Sequence, residues 1–179
     1  MKPNSRQVTT KPRRVNRVKN KVSRIYNYSS NIKFAFLSLS FYADCAARMP
    51  CMLRKITRPY AIIPSKNYNF TYAIPFHSNI YQTGIEFENP KKNSSRPGLD
   101  FQKTLLVEQS DLDIIINRGT ISALTARIRS KLKIEENQIA DVMDAEIERY
   151  KRCIKSGFVS IYAYSTLQYF HEKLGINSR

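Results

Sequence analysis

Few side chains in this 179-residue chain have the types and spacing that catalysis needs. His77 and His171 are the only histidines, and neither has a Cys, Asp or Glu at the spacing of metal ligands. Asp100 and Glu108 could form a carboxylate pair that holds a catalytic metal ion. In such catalytic sites a lysine usually follows the glutamate by two residues, but this chain has Ser110 at that position. We therefore predict that the protein is not an enzyme and uses no metal or cofactor.

The basic side chains favour a different chemistry, the binding of phosphates. Residues 1–100 hold 18 Lys and Arg against 4 Asp and Glu, whereas residues 101–179 hold 12 against 10. Residues 1–24 carry nine basic side chains and no acidic one. This composition predicts an arm that is disordered alone and that grips a nucleic-acid backbone, because neutralising phosphates releases counterions. The side chains that we expect to contact phosphate are Arg13, Arg14, Arg17, Lys19, Lys21 and Arg24.

The N-terminal sequence is compatible with two locations in the cell. An Arg-rich start without acidic residues is typical of transit peptides, which would direct the protein to an organellar matrix. Otherwise we expect a cytoplasmic, nucleoid-associated protein, because the sequence shows no secretory signal and no apolar run long enough to cross a membrane. Three cysteines, an odd number, favour a reducing compartment over a disulfide framework.

The patterning predicts an α+β fold that begins with a β-rich region over residues 25–88. Residues 32–42 and 67–74 alternate in part like strands, and residues 79–87 are predicted to pair with the second of these. Within residues 44–52, the sequence Ala-Ala-Arg-Met favours a helical turn. Tyrosines are interleaved with basic residues here, and they either stack on bases or fill the core; they are Tyr26, Tyr28, Tyr42, Tyr60, Tyr68, Tyr72 and Tyr81.

A linker or exposed loop is predicted over residues 89–98, and residues 99–179 read as a strand-helix-helix region with a last helix. The strand lies over residues 101–109 or 112–117. One face of a first helix is formed by Ile121, Leu124, Ile128 and Leu132, and that of a second by Ile139, Met143, Ile147, Tyr150 and Ile154. Gly157 is expected to end the second helix. Residues 158–164 are predicted to form a short strand or to lead directly into a last helix. That helix carries Ala163, Leu167, Phe170 and Leu174 on one face and is expected to end at Gly175.

This order of elements over residues 101–155 resembles the ribbon-helix-helix family of DNA-binding proteins. In that family two chains pair their strands into a ribbon that enters the major groove, and the helices complete the dimer. The resemblance implies a homodimer in which residues 103–109 form the ribbon, with Lys103 and Gln109 reading bases. In the alternative register the ribbon is residues 112–117, with Asn117 facing outward and Arg118 at its flank.

The resemblance also implies that backbone amides at the start of the second helix, near residues 135–138, hold phosphates. Glu135 and Glu136 occupy that place in this chain, and their charge opposes a phosphate. Arg127, on the basic side of the first helix, is a further expected nucleic-acid contact.

Two short motifs resemble the signatures of PilZ domains, which bind cyclic di-GMP. Arg54 and Arg58 form an Arg-x-x-x-Arg motif, and residues 93–98 match Asn-x-Ser-x-x-Gly with Asn93 and Ser95. Arginine suits such a ligand because it makes bidentate phosphate contacts and offers a planar face for stacking. The resemblance implies a cyclic-dinucleotide sensor.

The function predicted from these observations is sequence-specific binding of duplex DNA by a homodimeric transcriptional regulator. A structural RNA-binding protein, such as an organellar ribosome component, is the alternative that the same basic arm and the tyrosine-rich region favour. The PilZ-like sensor is a second alternative.

Overall fold

The structure is a computed structural model that describes residues 32–80, 82–87, 96–108, 116–117, 134 and 136–176. The predicted basic arm, the helix predicted over residues 121–132 and most of the predicted loop lie outside the described residues. The observed fold is α+β, as the sequence predicts.

One antiparallel sheet forms the centre of the described structure. Its strands are β1 (Lys33–Leu37), β2 (Tyr60–Pro64), β3 (Thr71–His77), β4 (Gly84–Glu86), β5 (Gly98–Asp100), β6 (Leu105–Val107) and β7 (Ile116–Asn117). They follow the order β4-β5-β3-β2-β1-β7, and β6 pairs with the same edge of β3 as β5 does. Strands from both sides of the predicted loop therefore share one sheet.

The first helix, α1 (Leu39–Arg48), corrects the strand predicted over residues 32–42. The β1 strand ends at Leu37 because the next residue, Ser38, is a helix cap. Its hydroxyl accepts a hydrogen bond from the backbone N–H of Phe41 at 3.2 Å, which satisfies a donor that the helix itself leaves unpaired. The predicted helical turn before Pro50 is thus the second half of a helix that starts earlier.

The second helix, α2 (Glu136–Lys155), confirms the predicted apolar stripe. Ile139, Met143, Ile147 and Tyr150 are buried and belong to the core, and α2 packs against β2. Gly157 has a φ of 76° and ends the helix as predicted. The N–H of Phe158 donates to the carbonyl of Cys153 at 2.9 Å, and this bond closes the last turn.

A buried carboxylate fixes α2 to β3. Asp144 of α2 is 4% exposed, and its Oδ1 accepts hydrogen bonds from the hydroxyls of Tyr72 at 2.5 Å and Ser65 at 2.9 Å. Its Oδ2 has no hydrogen-bond partner. Burial, followed by the hydrogen bond to Asp144, raises the pKa of Tyr72 well above its usual value. This network specifies how the helix sits on the sheet, because a buried polar group must keep its partners.

The chain leaves the ladder briefly between β5 and β6. Phe76 pairs with Leu99 and Ala73 pairs with Leu105, so two residues of β3 face five residues of the neighbouring segment. The extra residues form a 3-10 turn at Phe101–Lys103. Pro75 lies in β3 opposite this bulge. The N–H of Phe76 donates to the carbonyl of Pro59, on the β2 side of β3. The backbone nitrogen of Pro75 therefore points to the opposite side, toward the bulge, because successive residues of a strand alternate in this respect. No ladder bond is formed at the bulge, so the missing N–H of proline leaves none unmade.

The remaining elements differ in detail from the sequence prediction. The β4 strand pairs with β5 and not with the segment of residues 67–74, of which only the last part belongs to β3. After α2 the chain forms two 3-10 helices, Ser160–Tyr162 and Thr166–Phe170, in place of a strand or a continuous α-helix. Of the four residues predicted to share one face of the last helix, Leu167, Phe170 and Leu174 are buried and Ala163 is exposed. No helix in the described ranges combines the length and apolar character needed to cross a membrane.

Candidate functional site

Most residues predicted to bind nucleic acid lie outside the described residues. These are Arg13, Arg14, Arg17, Lys19, Lys21, Arg24, Gln109, Arg118 and Arg127. Lys103 and the backbone of Asn117 are described, and the structure does not place either in an unpaired ribbon.

Lys103 belongs to the 3-10 turn, and its ammonium is turned toward the protein. The Nζ atom donates to the carbonyl of Cys51 at 3.0 Å and to the carbonyl of Tyr164 at 2.6 Å. The residues that follow, Leu105–Val107, are buried and pair with β3 of the same chain. This geometry does not support base reading by the first ribbon register.

The second ribbon register is also paired within the chain. Asn117 lies in β7, which pairs with β1 through Phe36 and Leu37. The α2 helix begins at Glu136, and an acidic first turn stabilises the helix dipole but repels phosphate. The ribbon-helix-helix arrangement is therefore not confirmed in the described part of the chain.

A pair of chemically active side chains lies at the end of β3. The Nδ1 atom of His77 is hydrogen-bonded to Oδ2 of Asp100 at 2.8 Å, and Asp100 is 4% exposed. A carboxylate oxygen only accepts, so Nδ1 carries the hydrogen and Nε2 of a neutral ring is left as an acceptor. The register of the sheet creates this pair, because His77 of β3 lies opposite Gly98 of β5, close to Asp100.

His77 and Asp100 line a cavity of about 470 Å³. The cavity is formed by three separate parts of the chain that meet at the end of the sheet. Its lining consists of His77, Gln82, Asp100, Gln102, Lys103, Ser160, Ile161 and Tyr164. A histidine, a carboxylate, an ammonium and two primary amides therefore surround one space, which is large enough for a small organic ligand.

The 3-10 turn, which carries Gln102 and Lys103 and follows directly after Asp100, is rigidly supported. The Asp100 side chain accepts from the N–H of Gln102 at 3.1 Å. The fully buried hydroxyl of Ser165 donates to the Gln102 carbonyl at 3.0 Å. The hydroxyl of Thr166, also fully buried, lies 2.5 Å from the Thr104 carbonyl and 3.1 Å from the Gln102 carbonyl, and its one hydrogen is shared between them. The amide nitrogen of Gln102 donates to Oε1 of Gln82 and to the Ile161 carbonyl. Side chains held in this way keep one geometry, as binding sites require.

Glu108 does not join Asp100. It forms a salt bridge with Lys173 at 2.7 Å, on a different surface from the His77 cavity, and its hydrogen bond to Lys173 lowers the pKa of the Glu108 carboxyl. The described residues contain no cluster of three or more side chains that could hold a metal ion. The partner of Asp100 is a histidine, not a second carboxylate.

Apart from the His77 cavity, a surface of exposed basic and apolar side chains lies where α2 ends, and we call it the C-terminal surface. It consists of Arg152, Lys155, Phe158 and Val159, and all four side chains are exposed, Phe158 by 60%. The pKa of Glu148 is lowered mainly by hydrogen bonds from Tyr68 and Lys151, and the positive charge of Arg152 lowers it further. Neither Arg152 nor Lys155 forms a salt bridge in the described structure. Both positive charges also stabilise the C-terminal end of the helix dipole.

The tyrosines of the β-rich region mostly fill the core. Tyr42, Tyr60 and Tyr72 are buried, and burial raises the pKa of each hydroxyl. Tyr68 is half-buried, stacks on Phe70 and receives a hydrogen bond from Lys151 at 2.8 Å. These rings are not available as an exposed stacking surface; Tyr26, Tyr28 and Tyr81 lie outside the described residues.

The two PilZ-like motifs come near each other at the same sheet. Arg58 donates from Nη1 to the carbonyl of Phe76, whose strand partner, Leu99, follows Gly98 of the second motif. The Nε atom of Arg58 is buried without a partner, and Arg54 is exposed. Asn93 and Ser95 lie outside the described residues, so cyclic-dinucleotide binding stays a prediction.

Sequence reasoning missed the His77–Asp100 pair. The two residues lie 23 positions apart, and only the pairing of β3 with β5 brings them together. Comparison with protein-family models, with curated proteins and with solved structures found no match to this chain.

Proposed function

We propose that this protein binds nucleic acid, and that unpaired strands are its preferred form. The observation that carries the proposal is the charge distribution, with 18 basic and 4 acidic side chains in residues 1–100. Charge of this density favours a polyanionic partner, and nucleic acid supplies the densest regular array of phosphates. The basic arm of residues 1–24 provides most of the affinity and little sequence preference.

The C-terminal surface supports the preference for unpaired strands. Arg152 and Lys155 are exposed cations, and Phe158, whose ring is exposed, lies three positions after Lys155. Single-strand binders combine cations that hold the backbone with aromatic rings on which bases stack. In duplex DNA the bases already stack on one another, so an exposed ring gains little there.

The homodimeric regulator predicted from the sequence shares the phosphate contacts of this proposal, but it would select duplex DNA. Its ribbon would have to come from residues 103–109 or 112–117, and parts of both segments pair within the chain. A structural RNA-binding protein is equally compatible with an arm and a stacking surface. Both forms share the phosphate contacts and differ in the strand that they select.

The test measures affinity for a single-stranded oligonucleotide, a duplex of the same sequence and a structured RNA, by fluorescence anisotropy at one salt concentration. We expect the single strand to bind at least about 5-fold more tightly than the duplex, the lower limit of what stacking one base contributes. The charge-reversal variant Arg152→Glu/Lys155→Glu should weaken binding about 10-fold, since two phosphate contacts are lost and replaced by repulsion.

A matched control separates local contacts from net charge. Lys33→Glu/Lys55→Glu makes the same change in charge at two exposed positions outside the C-terminal surface. Equal loss in both double variants would show that only net charge matters and would remove the C-terminal surface from the proposal. No binding to any of the three nucleic acids would refute the proposed function.

A further inference from the structure

The His77 cavity contains polar groups that the protein leaves without partners. Gln102 uses its amide nitrogen in two hydrogen bonds, but its Oε1 has no partner among the described residues. Gln82 accepts one of these bonds, and its own amide nitrogen has none within the described ranges. His77 uses Nδ1 in its hydrogen bond to Asp100, and its Nε2 atom has no partner among the described residues.

These groups form a recognition pattern for a planar ring. The amide of Gln82 offers hydrogen-bond donors and Gln102 Oε1 offers an acceptor, while Nε2 of His77 accepts in the neutral ring and donates in the protonated ring. Side-chain amides of this kind pair with the edges of nucleobases, where a donor and an acceptor lie side by side. Tyr164, which is 76% exposed, lies at the same cavity and presents a ring on which a base can stack.

The cost of building the cavity also indicates that it has a use. Asp100 and Gln102 are buried polar residues, 4% and 8% exposed. Burying polar groups destabilises a fold unless each is hydrogen-bonded, and a core of apolar residues would avoid this penalty. Here the fully buried hydroxyls of Ser165 and Thr166 hold the Gln102 backbone while its side-chain oxygen stays unused.

We propose that this cavity binds a single unpaired nucleotide of the strand described above. The base enters the cavity, where Gln82, Gln102 and His77 contact its edge and Tyr164 stacks on its face. The Lys103 ammonium uses two of its three hydrogens on backbone carbonyls and directs the third to the adjoining phosphate. Asp100 is a positioning residue that fixes the His77 ring. This inference rests on the proposed function and names the part of the strand that the folded body recognises.

The experiment compares two single strands of about 12 nucleotides, one of mixed sequence and one with every base removed. Both carry the same phosphates, so their affinity ratio reports base contacts alone. For the full chain we expect the base-bearing strand to bind about 5- to 150-fold more tightly. Gln82→Leu and Tyr164→Ala should bring the ratio close to one while the affinity for the abasic strand is unchanged.

Gln138→Leu is the matched control, since it makes the same substitution at another exposed glutamine, on α2. It should keep the ratio of the unmodified chain. Circular dichroism melting curves verify that the variants fold. Tyr164 is exposed, so Tyr164→Ala should melt like the unmodified chain. Gln82→Leu removes one hydrogen-bond partner of Gln102, so it should melt at a slightly lower temperature and still in one cooperative transition.

The possible failures can be told apart. A ratio near one for the unmodified chain, or a ratio that Gln82→Leu and Tyr164→Ala leave unchanged, overturns the cavity as a base site. The proposed function survives that result if the abasic strand still binds and loses affinity when residues 1–24 are removed. If neither strand binds, the proposed function fails and this inference fails with it.

Discussion

Replacing Tyr72 with phenylalanine tests whether the buried network of Asp144 holds α2 on the sheet. The substitution removes one hydroxyl and keeps the ring, so it leaves no cavity of consequence. The lost bond is a 2.5 Å hydrogen bond to a carboxylate that is 4% exposed. Hydrogen bonds to charged groups contribute about 1.5–3 kcal/mol, and we expect a loss of about 2 kcal/mol in the free energy of unfolding.

Urea denaturation followed by circular dichroism measures this loss. With a slope of about 2 kcal/mol per molar urea, the midpoint should fall by about 1 M. Tyr164→Phe is the control, because its hydroxyl is exposed and removing it should change stability by less than about 0.5 kcal/mol.

A second arm of the same experiment uses Asp144→Asn, which keeps an oxygen acceptor but removes the charge. In that background Tyr72→Phe should lose only about 1 kcal/mol, the contribution of a neutral hydrogen bond. If Tyr72→Phe were no more destabilising than Tyr164→Phe, or lost the same amount in the Asp144→Asn background as in the unmodified chain, the reasoning about this network would be wrong.

Three further expectations follow from the described structure. Gly98→Ala should destabilise the protein by about 3 kcal/mol, because the new Cβ would lie 2.0 Å from the Ile85 carbonyl oxygen. Gly157→Ala, at a left-handed position with open space around it, should lose only about 1–2 kcal/mol of the free energy of unfolding. Equal losses for the Gly98 and Gly157 variants in urea denaturation would contradict this expectation. Burial raises the pKa of Tyr150 to about 12, so its neutral form contributes stability that is fully present below pH ~10 and is lost as the pH rises through about 12. Tyrosinate absorbance should therefore appear at a higher pH in the native protein than in protein unfolded by urea. If the native and unfolded proteins titrated at the same pH, burial of the Tyr150 hydroxyl would be contradicted. Asp100→Asn should reverse the His77 tautomer, because an amide can donate to Nδ1. Nitrogen NMR of the imidazole ring would report an unchanged tautomer if the Asp100 contact were not the one that fixes it.

The sequence predicts α2 well because its signals are local. A stripe of apolar residues at helical spacing and a glycine after its last residue can be recognised without knowledge of the rest of the fold. The boundary between β1 and α1 was predicted wrongly because residues 32–42 are largely apolar, and a single serine at position 38 starts the helix. Short apolar segments of this kind do not distinguish strand from helix by their pattern.

The cavity could not be predicted from local patterns. His77 and Asp100 meet because of the register between β3 and β5, and Gln102 joins them because the chain bulges into a 3-10 turn opposite Pro75. A bulge depends on which strands pair, and pairing is a property of the whole sheet. Lys103 illustrates the same limit: its spacing suggests an outward-facing strand residue, but two backbone carbonyls from distant segments bind its ammonium.

The most direct test of nucleic-acid binding is the salt dependence of affinity for a single-stranded oligonucleotide, measured for the full chain and after removal of residues 1–24. The logarithm of the binding constant should fall linearly with the logarithm of salt concentration, by about 0.7 for each phosphate contacted. The nine basic side chains of the arm can then contribute a slope of up to about 6, and we expect its removal to reduce the slope by at least about 3. A slope that stays the same without the arm would contradict the account, because its charge would then have no part in binding.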